Sequence, residues 1–317
     1  MHNETTDNDP ISGTRKPVVN ESAASKGVLL KTLLSLGLYI GVYYIFFHQN
    51  LQWIFLLVAV MLFHEAGHFI AMKSFGYKDV KMFFVPFLGA FVSGEPERVS
   101  QKQRVITLLA GPIPGIFLGL ILLGVFSYTQ QVFYYRLSLI LIMLNVFNLL
   151  PVSPLDGGQL LENLFLRSGR LLQPVFLILS AIALFYMALI TRNYFILIIV
   201  WLIVVRFRTI TRMNRVRSAL DKDGISYDKI YAELSDDEYM AIRARLIQNI
   251  PALKDYDPNI ISDDEEFAVS HMQKLLSDKA EADMSKTAKA FVIAIWIIFT
   301  VVPIFIFWEY VSAYRII

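Results

Sequence analysis

Apolar residues in this chain fall into long, nearly unbroken runs separated by short polar loops, with one extended polar stretch near the carboxyl end. A helix needs roughly 20 apolar residues to cross a bilayer. Seven runs qualify as candidates: Val28 to Phe47, Leu51 to Met72, Val105 to Phe126, Val132 to Leu150, Leu171 to Ile190, Tyr194 to Val205 and Ala290 to Trp308. The sixth is short and ends at Arg206 and Arg208, so a tilted or re-entrant segment is the alternative there. The pattern predicts an all-α polytopic membrane protein of about seven spans, or six if Tyr194 to Val205 is re-entrant. The first run is too long for a signal-peptide core and lacks a small-residue cleavage site, so it should stay as an anchor.

The polar segments divide the rest. Residues 1–26 are rich in Asn, Ser and Thr, carry both signs of charge, and read as a disordered tail. Residues 27–207 form the membrane domain, residues 208–287 a small helical cytoplasmic domain, and residues 288–317 the last span. Within the polar domain, Ser235-Asp236-Asp237-Glu238 and Ser262-Asp263-Asp264-Glu265 are helix-start signatures. Ser218 to Lys286 holds 16 acidic and 8 basic residues, a solvated acidic surface that is also a place for a regulatory partner or a second copy of the chain. Lys73, Lys78, Lys81, Arg98, Lys102 and Arg104 mark one side of the membrane, with Arg206, Arg208, Arg212, Arg215 and Arg217. The opposite loops offer only Arg136 and Arg192. Positive flanks stay inside, so the amino terminus is expected in the cytoplasm; a prokaryotic plasma membrane is the location expected from the compact core and the lack of a sorting signal.

Composition narrows the chemistry. Of 317 residues, 56% are hydrophobic and 18% charged, which places the chain in a bilayer; a net charge of +2 gives no reason to expect a nucleic-acid partner. There is no cysteine, so a metal site must be built from nitrogen and oxygen donors.

One feature of the second run does not fit an inert anchor. His64-Glu65-Ala66-Gly67-His68 interrupts it, and each such group costs up to about 3 kcal/mol at that depth unless it finds partners. On a helix, residues four apart stack about 6 Å apart along the axis, so His64 and His68 can aim two imidazoles at one ion. Glu65 then stands where a general base would take a proton from water. A pair of buried, hydrogen-bonded histidines is the plainer reading. A hydrolytic zinc site needs a third protein ligand. Asp156 is the candidate, presented after Pro151 and Pro154 break the fourth span and before Gly157 and Gly158; an ordinary Asp-Gly turn is its plain reading, and Glu162 the competing ligand. His2, His48 and His271 are expected to play no part.

Together, His64-Glu65-x-x-His68 and Asn148-x-x-Pro151-x-x-Pro154-Leu155-Asp156-Gly157 resemble the site-2 protease family of intramembrane zinc metalloproteases, with Ala110-Gly111-Pro112 between them. The resemblance covers about residues 51–167, a three-span core. It implies a zinc metalloendopeptidase binding one Zn2+ per chain through His64, His68 and Asp156, with Glu65 as base and Asn148 contacting substrate or oxyanion. It also implies a membrane-associated β-hairpin, matched by Met82 to Gly94, in which Phe87, Gly89 and Phe91 are expected to meet substrate. Gly89-Ala90 stands where many members have Gly-Gly. The expected substrate is a transmembrane protein or remnant peptide, cut in or near its membrane segment. A metalloprotein without protease activity, a metal transporter and a prenyl-protein endopeptidase are the competing classes. Retention of Glu65 argues against the first, the lack of carboxylates or histidines in the third, fifth and sixth runs against the second, and the Asn148 to Gly158 motif against the third.

Overall fold

The computed structural model describes residues 16–17, 28–47, 51–85, 89–95, 100–166, 172–194, 196–229, 231–257, 265–277 and 283–314. In chain order these form α1 (Val28–Phe47), α2 (Leu51–Ser74), β1 (Lys78–Val85), β2 (Gly89–Glu95), α3 (Gln101–Ala110), α4 (Pro112–Thr129), α5 (Val132–Asn148), α6 (Asp156–Leu161), α7 (Leu172–Thr191), α8 (Ile196–Lys222), α9 (Asp236–Asn249), α10 (Glu266–Ser277) and α11 (Lys286–Tyr314). The disordered-tail expectation lies almost wholly outside the described residues, as do Ser262 to Asp264 and Phe87.

The architecture is helical with one two-stranded sheet. Among the described residues, four helical stretches are long and apolar enough to cross a membrane: Leu51–Ser74, Gln101–Thr129, Gln173–Thr191 and Lys286–Tyr310. Leu30–Val42 and Val132–Asn148 are apolar but shorter. Many large apolar side chains, such as Phe55, Phe117, Tyr186 and Phe305, are exposed, as a surface that faces lipid requires.

Chain contacts divide the protein into two compact units. The larger holds 23–205 and 281–317. Its α2 buries a stripe of Ile54, Val58 and Met61 against Tyr39 of α1 and Phe84 and Ala90 of the sheet. These positions are four and three residues apart, so they line one face, and the same face continues into the buried His64, Glu65 and His68. The sheet is antiparallel, pairing Met82 with Val92, Phe83 with Phe91 and Val85 with Gly89, and extends beyond the expected hairpin to Lys78 and Glu95. Helix α1 secures β1: Thr32 Oγ1 donates to the Met82 carbonyl at 2.8 Å, and Ser35 Oγ accepts from Phe84 N–H at 3.2 Å.

Two adjustments bring the fourth apolar run to the second. Helix α5 stops at Asn148, and Trp296 Nε1 of α11 donates to the Leu149 carbonyl at 2.8 Å, satisfying a group with no helical partner. The chain then turns through Pro151 and Pro154 into the short α6. Gly157 is required in this turn, because a Cβ there would lie 2.0 Å from the Leu149 carbonyl oxygen.

The smaller unit holds 206–280 and takes in Lys16 and Pro17. Its core is Val216 and Leu220 of α8, Tyr239, Ile242 and Leu246 of α9, Leu253, and Met272 and Leu275 of α10. Ser235 caps α9 as its signature predicts, exchanging hydrogen bonds with Glu238 in a capping box. Arg243 is fully buried and meets the Glu265 carboxylate, which also accepts from Tyr239 Oη.

Candidate metal centre

His64 and His68 leave α2 from the same face, one turn apart, and Asp156 enters from the first turn of α6. The His64 Nδ1 atom lies 2.7 Å from Asn145 Oδ1. The Asn145 amide is itself oriented, because its Nδ2 donates to the Leu141 carbonyl at 2.7 Å. Its oxygen therefore faces His64, which places the proton on Nδ1. His68 Nδ1 lies 2.8 Å from the Thr107 carbonyl, an obligate acceptor, so its proton is on Nδ1 as well. Both Nε2 atoms consequently present lone pairs inward.

Those lone pairs converge with a third. The two Nε2 atoms are 3.2 Å apart, and Asp156 Oδ2 lies 3.2 Å from that of His64 and 3.3 Å from that of His68. Asp156 Oδ2 is buried without a hydrogen-bond partner. Three acceptors facing one another in a buried setting repel unless a cation or added protons lie between them. Donors about 2.0–2.1 Å from a tetrahedral zinc ion stand about 3.3–3.4 Å apart, which matches the triangle found here. The neutral imidazole and carboxylate donor set is also one that zinc takes. The residues fit the ion. Among the described residues this is the group of His, Asp and Glu side chains able to hold a metal.

Glu65 is buried beside this cluster, and its carboxylate accepts a hydrogen bond from the Val92 backbone of β2. The hairpin thus reaches the residue next to the two histidines. Room for His68 is made by Gly111, where a Cβ would lie 2.4 Å from its Nε2. Here the chain passes from α3 to α4, and Ala110-Gly111-Pro112 lets the helices pass against α2 at close range.

Residues 52–133 match the model of peptidase family M50. Over this stretch the chain is similar to the M50 peptidases. The match contains His64, Glu65, His68 and the hairpin and ends before Asn148 and Asp156, so the M50 homology and the geometry of Asp156 are separate observations. Among curated proteins, the chain is 32% identical over 114 residues to "Zinc metalloprotease MJ0392" of Methanocaldococcus jannaschii, covering 34% of this chain and 32% of that one. It is 31% identical over 116 residues to "Stage IV sporulation protein FB" of Bacillus subtilis, covering 34% and 38%. It is 32% identical over 114 residues to "Putative zinc metalloprotease sll0528" of Synechocystis, covering 34% and 30%. The chain spans about a third of the length of these relatives. The solved "Site-2 Protease from Methanocaldococcus jannaschii" aligns with 57% of this chain and 88% of that one, at 22% identity and a TM-score of 0.42.

The remaining sequence candidates have other surroundings. Glu162 is buried where a π-helical turn, Glu162–Leu166, follows α6, and accepts from Gln173 Nε2 at 3.2 Å; it is not in the cluster. Asn148 is half-buried, with its Nδ2 donating to the Leu144 carbonyl at 3.2 Å. Phe91 is exposed on β2. Gly89 begins that strand. Asn145 was not anticipated. Its signal was available in the sequence: a second amide inside the fourth apolar run, where a polar group needs a partner.

Proposed function

We propose that this protein is an intramembrane zinc metalloprotease, hydrolysing peptide bonds in or near transmembrane segments of other membrane proteins. The observation that carries the reading is the convergence of His64 Nε2, His68 Nε2 and Asp156 Oδ2 on one point beside Glu65. M50 homology over the stretch holding three of these four residues supports it. One Zn2+ per chain, held by His64, His68 and Asp156, would supply a Lewis acid that acidifies water and polarises a carbonyl.

The protein's own side chains then have distinct tasks. Glu65 takes the proton of the attacking water and later delivers it to the leaving amine. Asn145 and the Thr107 carbonyl hold the two imidazoles in the tautomer that keeps Nε2 free for the ion. Asn148 donates to the developing oxyanion; its amide has a second hydrogen besides the one given to Leu144. A substrate helix must unwind to reach the site, because its peptide bonds are shielded by their own hydrogen bonds. Strand β2 offers that unwound segment backbone to pair with, and Phe87, Gly89 and Phe91 meet its side chains.

The apolar runs support about seven spans, or six if Tyr194 to Val205 is re-entrant, and the distribution of Lys and Arg supports a cytoplasmic amino terminus, a site towards the cytoplasmic side of the membrane and 208–287 as a cytoplasmic domain. Zinc content of detergent-purified protein tests the ligands: the metal should be lost in His64→Ala and Asp156→Ala, with elution profiles confirming that the variants fold. Glu65→Gln should keep the metal and cut a membrane-tethered reporter about 10²–10⁴-fold more slowly. Cleavage by Glu65→Gln at the wild-type rate would overturn the assignment.

A further inference from the structure

The smaller unit carries a second group of converging polar atoms, unrelated to the metal cluster. The Nζ of Lys16 donates to three backbone carbonyls, those of Tyr231 at 3.0 Å, Ala232 at 3.1 Å and Leu234 at 2.7 Å. An ammonium group has three N–H donors on one atom, and here each has its own acceptor. The carbonyls belong to a 3-10 turn, Tyr231–Glu233, and the residue after it; that of Tyr231 also accepts from Leu234 N–H at 3.3 Å, which leaves its second lone pair for the ammonium. The backbone of the same segment is held too: Lys16 N–H donates to Asp236 Oδ1 at 2.8 Å, and Tyr231 Oη donates to the Pro17 carbonyl at 3.0 Å. The ammonium also stands 5.2 Å from the Tyr231 ring centroid, within range of a cation–π contact.

The receiving side is braced by contacts that do not involve Lys16. Leu234 is buried in the unit's core, Tyr231 packs edge-on to the fully buried Tyr239 at 6.1 Å, and the Ser235 capping box fixes the backbone leading to Asp236. Burial, and next the nearby Glu265 carboxylate, push the Tyr231 hydroxyl up to about 12, so it remains a donor at any physiological pH. The surrounding stretch from Ser218 to Lys286 is acidic, with 16 carboxylates against 8 basic residues.

We infer that the carbonyl cup of Tyr231, Ala232 and Leu234, with Asp236 and the Tyr231 hydroxyl, is a binding site for a lysine followed by proline, and that its occupant is this protein's own Lys16-Pro17. The site is a latch that holds the amino-terminal segment to the smaller unit. Its selectivity follows from shape. A guanidinium spreads its donors over a plane and three nitrogens, and cannot point three N–H groups from one atom into three carbonyls. An arginine therefore does not replace Lys16, whereas general attraction to an acidic surface would accept either cation.

A fluorescent peptide of residues 11–21, added to the full chain in detergent and followed by anisotropy, tests this. In Lys16→Gln the cup is vacant, and the peptide should bind. In the wild-type chain the tethered Lys16 competes at an effective concentration in the millimolar range, so apparent affinity should fall by about tenfold or more. The same peptide carrying Lys16→Arg should bind the Lys16→Gln chain at least about tenfold more weakly than the native peptide. Equal binding to wild type and Lys16→Gln, no binding to Lys16→Gln, or equal binding of the arginine peptide would each overturn the proposal. A second measurement needs no variant of the chain. Its Lys16 should be acylated by a small amine-reactive reagent about tenfold more slowly than the same lysine in the free peptide in one mixture, read by mass spectrometry. Equal rates would refute the latch.

Discussion

His64 and Asn145, 81 residues apart in sequence, meet at 2.7 Å through Nδ1 and Oδ1, and this contact decides which imidazole nitrogen faces the metal cluster. Replacing Asn145 by Leu removes the acceptor, so His64 loses both its tautomer preference and its orientation. Metal affinity should fall about 10–100-fold, measured by competition with a chromogenic chelator. Asn145→Asp, which keeps an acceptor at the same place, should retain most of it. Unchanged affinity in Asn145→Leu would show that packing alone orients His64.

Gly111→Ala places a methyl 2.4 Å from His68 Nε2, closer than any stable contact. The imidazole must leave its position or α3 and α4 must withdraw from α2. Bound metal should be lost, while Gly124→Ala, with nothing within 4 Å of its added Cβ, should bind metal as wild type does. Elemental analysis of the two purified variants separates the cases.

The Arg243–Glu265 pair is buried in the smaller unit, with the Tyr239 hydroxyl on the same carboxylate. Glu265→Gln takes a carboxylate charge away from a buried guanidinium and should destabilise that unit by about 3–5 kcal/mol. Hydrogen exchange at the α9 and α10 amides reports it. Replacing both residues by apolar ones of similar size should recover much of the loss.

Helix α9 should respond to acid through its cap. A hydrogen bond from Lys229, and next the Ser235 backbone, hold the half-buried Glu238 carboxyl below the ordinary glutamate value. A group with a lowered folded pKa contributes stability above its unfolded pKa and loses it as pH falls through the folded one. Protection of the first-turn amides of α9 should therefore be level above about pH 5 and decline below about pH 4. Glu238→Gln should remove that slope. Ser235→Ala should cost about 1 kcal/mol at neutral pH.

Much of the site was legible because its spacing is local. Two histidines four apart in an apolar run must share a helical face, and the prolines at 151 and 154 end α5 wherever it packs. The start of α9 at Ser235 was readable for the same reason, since a capping box is complete within four residues. The sheet was foreseen at Met82 to Gly94, and its extension to Lys78 and Glu95 was not, because strand ends depend on pairing partners.

What the sequence by itself determined is therefore the set of donors, their helix or break, and their apolar surroundings. Tertiary structure alone brought Asp156 and not Glu162 beside the two histidines, recruited Asn145 and the Thr107 carbonyl, and set the Val92 backbone against Glu65. Each of those choices joins residues far apart in the chain. The distances within the triangle depend on how closely α2, α3 and α6 approach, and glycines at 111 and 157 set that approach by the side chains they lack. Periodicity reports which face a residue occupies; only packing reports what it faces.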